Sequence, residues 1–125
     1  MKDSCPCGRG TVFDSCCGRY MGTGVPAPDA ESLMRSRFTA FVRGDVPHLL
    51  ATWHPSHRPA SLELDGSVKW LGLEVKHHRV FDALHAEVEF VARSRIQGRG
   101  QRLHERSRFV PENGHWLYVD GDILP

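Results

Sequence analysis

Four cysteines fall within thirteen residues of one another, as Cys5-Pro6-Cys7-Gly8 and Cys16-Cys17-Gly18, and the sequence holds no others. Two tight pairs of thiols, each followed by glycine, suit a tetrahedral metal. Zinc accepts four thiolates at about 2.3 Å each, and a shell closed by four protein ligands is structural rather than catalytic. The glycines fit that use. The backbone must turn sharply for thiols on either side to face one centre, which asks for positive φ or close approach. Cys5, Cys7, Cys16 and Cys17 are therefore the expected ligands of a structural Zn2+.

Other uses of these thiols compete. Disulfides suit an oxidising compartment, but Met1-Lys2-Asp3-Ser4 has no apolar run of the secretory kind. A cytoplasmic location with reduced thiols is expected, and adjacent Cys16 and Cys17 would bridge to each other only with strain. A thioredoxin-type redox pair would need C-x-x-C spacing, which is absent.

A second chemical signal lies near the carboxyl end. From Leu103 to Val110 the residues alternate: Leu103, Glu105, Ser107 and Phe109 share one parity, while His104, Arg106 and Arg108 share the other. Leu103 and Phe109 mark the first set as the buried face of a strand. Glu105 is thereby pushed toward the core, where a carboxylate needs a partner or stays protonated. A satisfied structural carboxylate is the commoner cause of such a pattern. A pocket acid or base is the functional alternative. Trp53-His54-Pro55, with His57 and Arg58, offers a proton shuttle near neutral pH. It reads more simply as a helix C-terminus, where imidazoles complement the dipole, since no carboxylate or nucleophile sits at motif spacing. Arg93, Arg95, Arg99, Arg102, Arg106 and Arg108 would make a phosphate-binding face. Glu87 and Glu89 interleave with them, so a solvated charge ladder is the expectation.

These residues need elements to hold them. The chain has 125 residues, 40% hydrophobic and 25% charged, with a net charge of +1. That describes one ordinary soluble domain plus a small appendage, too balanced in charge to announce a nucleic-acid binder. No apolar run approaches the ~20 residues that cross a bilayer. Tyr20 to Pro28 is a Gly/Pro linker. Asp29 stands as N-cap to a helix over Ala30–Val42, whose stripe is Met34, Phe38, Phe41 and Val42, with Arg35, Arg37 and Arg43 off it. Gly44 ends it. Asp45 caps a second helix, carrying Val46, Leu49, Leu50 and Trp53 and closed by His54-Pro55. The period then changes to two. Strands are expected over Val68–Val80, Glu87–Ile96, Leu103–Val110 and Trp116–Val119, with Gln97-Gly98-Arg99-Gly100 and Asn113-Gly114 as turns and His77, His78 and His85 in a polar turn region. Helices followed by an antiparallel meander give the fold class α+β.

Two resemblances carry these readings further. Cys5-Pro6-Cys7-Gly8-Arg9-Gly10 … Cys16-Cys17-Gly18 resembles the SEC-C motif, a zinc knuckle, which implies zinc on those four cysteines. Phe13 keeps the aromatic usual between the ligand pairs, while the usual lysines are missing. Nearly the whole chain resembles the YchJ-like family, through Glu31–Phe41, Ala51-Thr52-Trp53-His54-Pro55, Val88–Arg93, Leu103–Phe109 and Trp116–Gly121. That resemblance implies a knuckle over residues 1–22 and, over 29–125, a cone-shaped nuclear-transport-factor-2-like (cystatin-like) domain, a curved antiparallel sheet wrapped on helices.

Three functions compete on this basis. The leading one is a binding or adaptor protein, its knuckle facing a protein partner and its cone taking a small ligand or pairing through the sheet as a homodimer. The second is a dehydratase, isomerase or hydrolase acting on a small apolar molecule. For it the cone fold implies a cavity with Glu105 as base, His54 and Tyr118 assisting, and Trp53, Trp70, Ser107 and Trp116 in the walls. The third is RNA or ribosome association.

Overall fold

The computed structural model describes residues 4–125. Helix α1 (Ala30–Arg43) begins where the carboxylate of Asp29 accepts the Ser32 amide at 2.7 Å and ends at Gly44, in the left-handed region at φ 73°. Helix α2 (Val46–Ala51) is capped by Asp45, which accepts the His48 amide at 3.1 Å. It is shorter than the apolar stripe suggests, because the sheet captures its end. The Tyr118 amide donates to Thr52 O at 2.8 Å and the His54 amide to Tyr118 O at 2.7 Å, pulling Trp53 into a parallel bridge with Tyr118.

Four strands form an antiparallel meander in the order β1-β2-β3-β4: β1 (Val68–Asp82), β2 (His85–Ile96), β3 (Arg99–Glu112) and β4 (His115–Ile123). All four run longer than the expected spans. His77 and His78 therefore lie inside β1, not in a turn. Two-residue turns join β2 to β3 at Gln97-Gly98 and β3 to β4 at Asn113-Gly114, with positive φ at all four positions. The first turn is tighter than the four-residue stretch expected, since Arg99 already pairs with Ile96. Register shifts in β1 after Trp70, Val75 and Val80 are the kind of irregularity that bends a strand and increases its twist. The sheet packs on α1, and the core joins Leu33, Met34 and Phe38 of α1 to Val88, Phe90 and Ala92 of β2 and Phe109 of β3. Val42, expected on the stripe, is instead exposed. No helix among the described residues is long and apolar enough to cross a membrane.

Candidate functional site

Helix α1 separates two constellations. On one side the four cysteine sulfurs lie within 4.8 Å of one another, and all four residues are buried. Cys7 and Cys16 approach to 3.5 Å, sulfur to sulfur. A disulfide needs about 2.05 Å, whereas four ligands at tetrahedral zinc–sulfur distances sit about 3.8 Å apart. The backbone closes the cluster locally: the Cys5 amide donates to Thr11 O at 2.8 Å, and two 3-10 turns, Phe13–Ser15 and Cys17–Arg19, place the second pair. The two glycines meet the two needs foreseen for them. Gly8 has φ 82°, and a Cβ on Gly18 would lie 2.8 Å from Phe13 O.

The donor set itself fits a divalent cation. Hydrogen bonding from Cys17 pulls the Cys7 thiol down to about 4. The same bond, with burial, pushes Cys17 up, and burial pushes Cys16 to about 11. One thiolate forms readily and makes the next one costly, a conflict that a bound cation removes.

The cluster is docked rather than free. Thr39 of α1, fully buried, donates its hydroxyl to Cys17 Sγ at 3.4 Å and lies 3.6 Å from Cys5 Sγ. Arg35 Nη1 donates to Cys7 O at 2.8 Å, Arg9 Nη1 donates to Ser32 Oγ at 3.0 Å, and the Arg43 guanidinium lies 3.7 Å above the Phe13 ring. Glu31 gathers Arg9 at 3.3 Å and Arg35 at 2.9 Å.

On the other side of α1 is a cavity of about 160 Å³ between helix and sheet. Met34, Phe38 and Phe41 form its helical wall, and Trp70, Leu103 and Phe109 are part of its sheet wall. Its polar groups converge on Glu105. Ser107 Oγ and, at 3.3 Å, Tyr118 Oη both donate to Oε2. Gly121 makes room for this carboxylate, for a Cβ there would lie 2.8 Å from Glu105 Cδ. Burial, aided by the Glu105 charge, pushes the Tyr118 pKa up to about 12, so its hydroxyl donates across the neutral range. A second charge is buried nearby. Arg37, 6% exposed, donates through Nη1 to Leu49 O at 2.8 Å and Thr52 Oγ1 at 2.7 Å. Its guanidinium lies 4.6 Å from the Tyr118 ring centre and 5.1 Å from that of Trp53. Burial pulls its pKa down to about 10 against the opposing pull of the Glu105 charge, and it remains a cation at neutral pH. Trp53 Nε1 is buried with no acceptor among the described residues.

Of the residues expected around a pocket, Trp53, Trp70, Glu105, Ser107 and Tyr118 line this one cavity. His54 and Trp116 do not. Trp53 points inward, so its neighbour His54 points out, and Nε2 of His54 meets Glu112 at 2.9 Å. That carboxylate comes from β3, which is why local spacing could not reveal it. Trp116 lies two residues before Tyr118, about 7 Å along the strand, and lines a separate groove of about 510 Å³ with Tyr20, Leu33 and His48. Arg37 was read as off the apolar stripe and is buried. Its spacing held the signal, since Met34, Arg37, Phe38 and Phe41 fall at i, i+3, i+4 and i+7. On the outer sheet face three of the six arginines meet acids: Arg93 with Glu74 at 3.4 Å, Arg106 with Glu89 at 3.9 Å, and Arg108 with Asp120 at 2.6 Å.

A family model described as "YchJ, middle NTF2-like domain" matches residues 29–121. The chain belongs to the YchJ family. A UPF0225 protein of Methylibium petroleiphilum is 60% identical over 122 residues, covering 97% of this chain and 89% of that one. Another, from a Polaromonas species, is 61% identical over 127 residues, covering 94% and 91%. The solution structure of a SEC-C motif containing protein from Rhodopseudomonas palustris superposes with a TM-score of 0.86 at 30% identity, over 100% of both chains. The crystal structure of a SEC-C motif containing protein from Psychrobacter arcticus gives 0.78 at 27% identity, over 97% of this chain and 82% of that one. Nuclear-transport-factor-2-like cone and SEC-C cysteine cluster are thus features this chain shares with its family and structural neighbours.

Proposed function

We propose that this protein is a cytoplasmic small-molecule-binding module, in which the cysteine quartet holds a structural Zn2+ and the cone cavity takes the ligand. The single observation that carries the binding role is the cavity itself: apolar walls around hydrogen-bonding groups that converge on one carboxylate, Glu105. The four sulfurs are buried beside α1 rather than displayed, so zinc here serves to hold the N-terminal segment on the cone. A role for the knuckle toward a protein partner would have to use its outer residues.

Two measurements test this reading. Protein purified without chelator is expected to carry one zinc per chain, and removing that zinc should lower the melting temperature. Single-ring compounds are expected to quench Trp53 or Trp70 fluorescence saturably. No zinc in reduced, metal-replete protein would overturn the first part, and no saturable quenching would overturn the second. Acid–base catalysis is a second reading, favoured by the fact that Glu105 is the one carboxylate in the cavity wall among the described residues. It requires that Glu105→Gln abolish turnover of a bound compound while leaving its binding intact.

A further inference from the structure

Arg37 is a buried charge whose pairing the fold leaves incomplete. Its side chain enters the cavity wall from α1 and is 6% exposed. Nη1 uses both its hydrogens on neutral acceptors, Leu49 O at 2.8 Å and Thr52 Oγ1 at 2.7 Å. Nε and Nη2 have no hydrogen-bond partner, and Arg37 has no ion-pair partner, among the described residues. The polar side-chain atoms sealed away there without a partner are Trp53 Nε1 and His78 Nε2. Arg37 Nε and Nη2 are not among them, so that edge is reached from outside, and the space Arg37 borders is the cavity. An arginine buried this deeply is ordinarily paired with an acid. Nε–H and one Nη2–H run parallel along one edge of the guanidinium, a fork that a carboxylate fits with two hydrogen bonds.

Glu105 does not fill that fork. Its Oε2 accepts from Ser107 and Tyr118 instead. Yet it is close. Tyr118 holds the guanidinium 4.6 Å from its ring centre and reaches Oε2 with its hydroxyl at 3.3 Å, so one tyrosine side chain spans the gap between the two charges. Like charges confined together do not both stay ionised. A carboxylate entering beside Glu105 therefore brings a proton from solvent, shared between the two acids, and the cavity keeps one cation and one anion. Among the described residues, the titratable groups of the wall besides Glu105 are Arg37 from α1 and Tyr118 from β4; β1, β2 and the segment after α2 present Trp70, Phe90 and Trp53. About 160 Å³ limits the apolar body to about one benzene ring, which roughly 150 Å³ accepts. We propose that the cone cavity binds a small monocarboxylic acid with an apolar body, its carboxylate held by Arg37 Nε and Nη2 and one proton taken up with it. This rests on the binding role proposed above.

The test titrates the full chain, zinc-loaded, with benzoate, benzamide, toluene and benzylamine, followed by tryptophan fluorescence and by the Arg37 Nε–H cross-peak in NMR. Benzoate is expected to bind saturably at pH 6, about tenfold or more tighter than toluene, and to shift the Arg37 cross-peak, which toluene should leave in place. Benzoate affinity should fall as pH rises from 6 to 8, by up to about tenfold per pH unit, because each bound molecule carries a proton. Glu105→Gln should remove that pH dependence and leave benzoate bound at pH 8. Arg37→Lys keeps the charge without the fork and should weaken benzoate about tenfold while toluene still binds. Should that variant fail to fold, Glu105→Gln and the cross-peak decide. Toluene or benzamide binding as tightly as benzoate, or benzylamine binding tightest, would overturn the ligand class and leave the cavity reading standing. Benzoate affinity that is constant from pH 6 to pH 8 would overturn the shared proton. Saturation by none of the four would overturn both readings.

Discussion

The cysteine quartet and the cone cavity lie against the same helix, yet they are built differently. The quartet is closed: four buried sulfurs face one centre, and Thr39 supplies a hydroxyl to them from behind. The cavity is open in the chemical sense. Glu105 accepts two hydroxyls on Oε2, and Oε1 has no hydrogen-bond partner among the described residues. A constellation whose donors all serve one another is a structural device, while one that keeps unspent hydrogen-bonding capacity is where a small molecule gains by entering.

Substitutions at each constellation can break that contrast. The largest effect is expected from Cys7→Ser. Losing one ligand of a closed shell should release the metal and cost about 3 kcal/mol or more, seen as a fall of about 10 °C or more in Tm together with loss of zinc. Unchanged melting would mean that the quartet is not structural. Next comes Gly121→Ala, which sets a Cβ against the Glu105 carboxyl group. It should cost about 1–3 kcal/mol by denaturant titration, and Glu105→Ala in the same chain should recover much of that. An equal cost in both backgrounds would show that the carboxylate is not what Gly121 accommodates.

Thr39→Val sharpens the comparison. It removes the hydroxyl from the sulfurs without touching the cavity wall, so zinc affinity should fall about tenfold in a chelator competition while quenching of the cavity tryptophans by single-ring compounds stays the same. A parallel loss of that quenching would mean that α1 couples its two faces. The smallest effect belongs to His48, buried on α2 with Nε2 2.9 Å from Ser36 Oγ. Burial holds its pKa below the ordinary 6.5, with Arg37 adding to the depression and Asp45 opposing it. The unfolded chain then takes up the proton first. The contribution is complete above about pH 6.5 and declines as pH falls below it. Denaturant midpoints of the wild type and His48→Leu should diverge least at low pH, and a constant difference from pH 8 to pH 5 would refute this.

Much of the scaffold is legible without coordinates because its signals are local. Asp29 and Gly44 bound α1, Asn113-Gly114 turns β3 into β4, and strand alternation puts Glu105 on the same face as Phe109. The errors share one cause, competition from distant partners. The apolar stripe through Trp53 favours more helix, but Tyr118 offers Thr52 and His54 sheet hydrogen bonds, and α2 stops at Ala51. His77-His78 looks like a turn until β2 pairs with it. His54 has no carboxylate at motif spacing in the sequence, and β3 brings Glu112 to it.

By itself, the amino-acid order determined the cysteine quartet, since thirteen residues contain all four sulfurs and the turns that bring them together. It also determined the α+β succession of elements, through periodicity and caps. Only the tertiary structure decided that the knuckle leans on α1 through Thr39 and Arg35, that Arg37 is sealed between Trp53 and Tyr118, and that Gly121 leaves space for Glu105. Those relations join residues dozens of positions apart, and they exist only once the curved sheet closes over the helix.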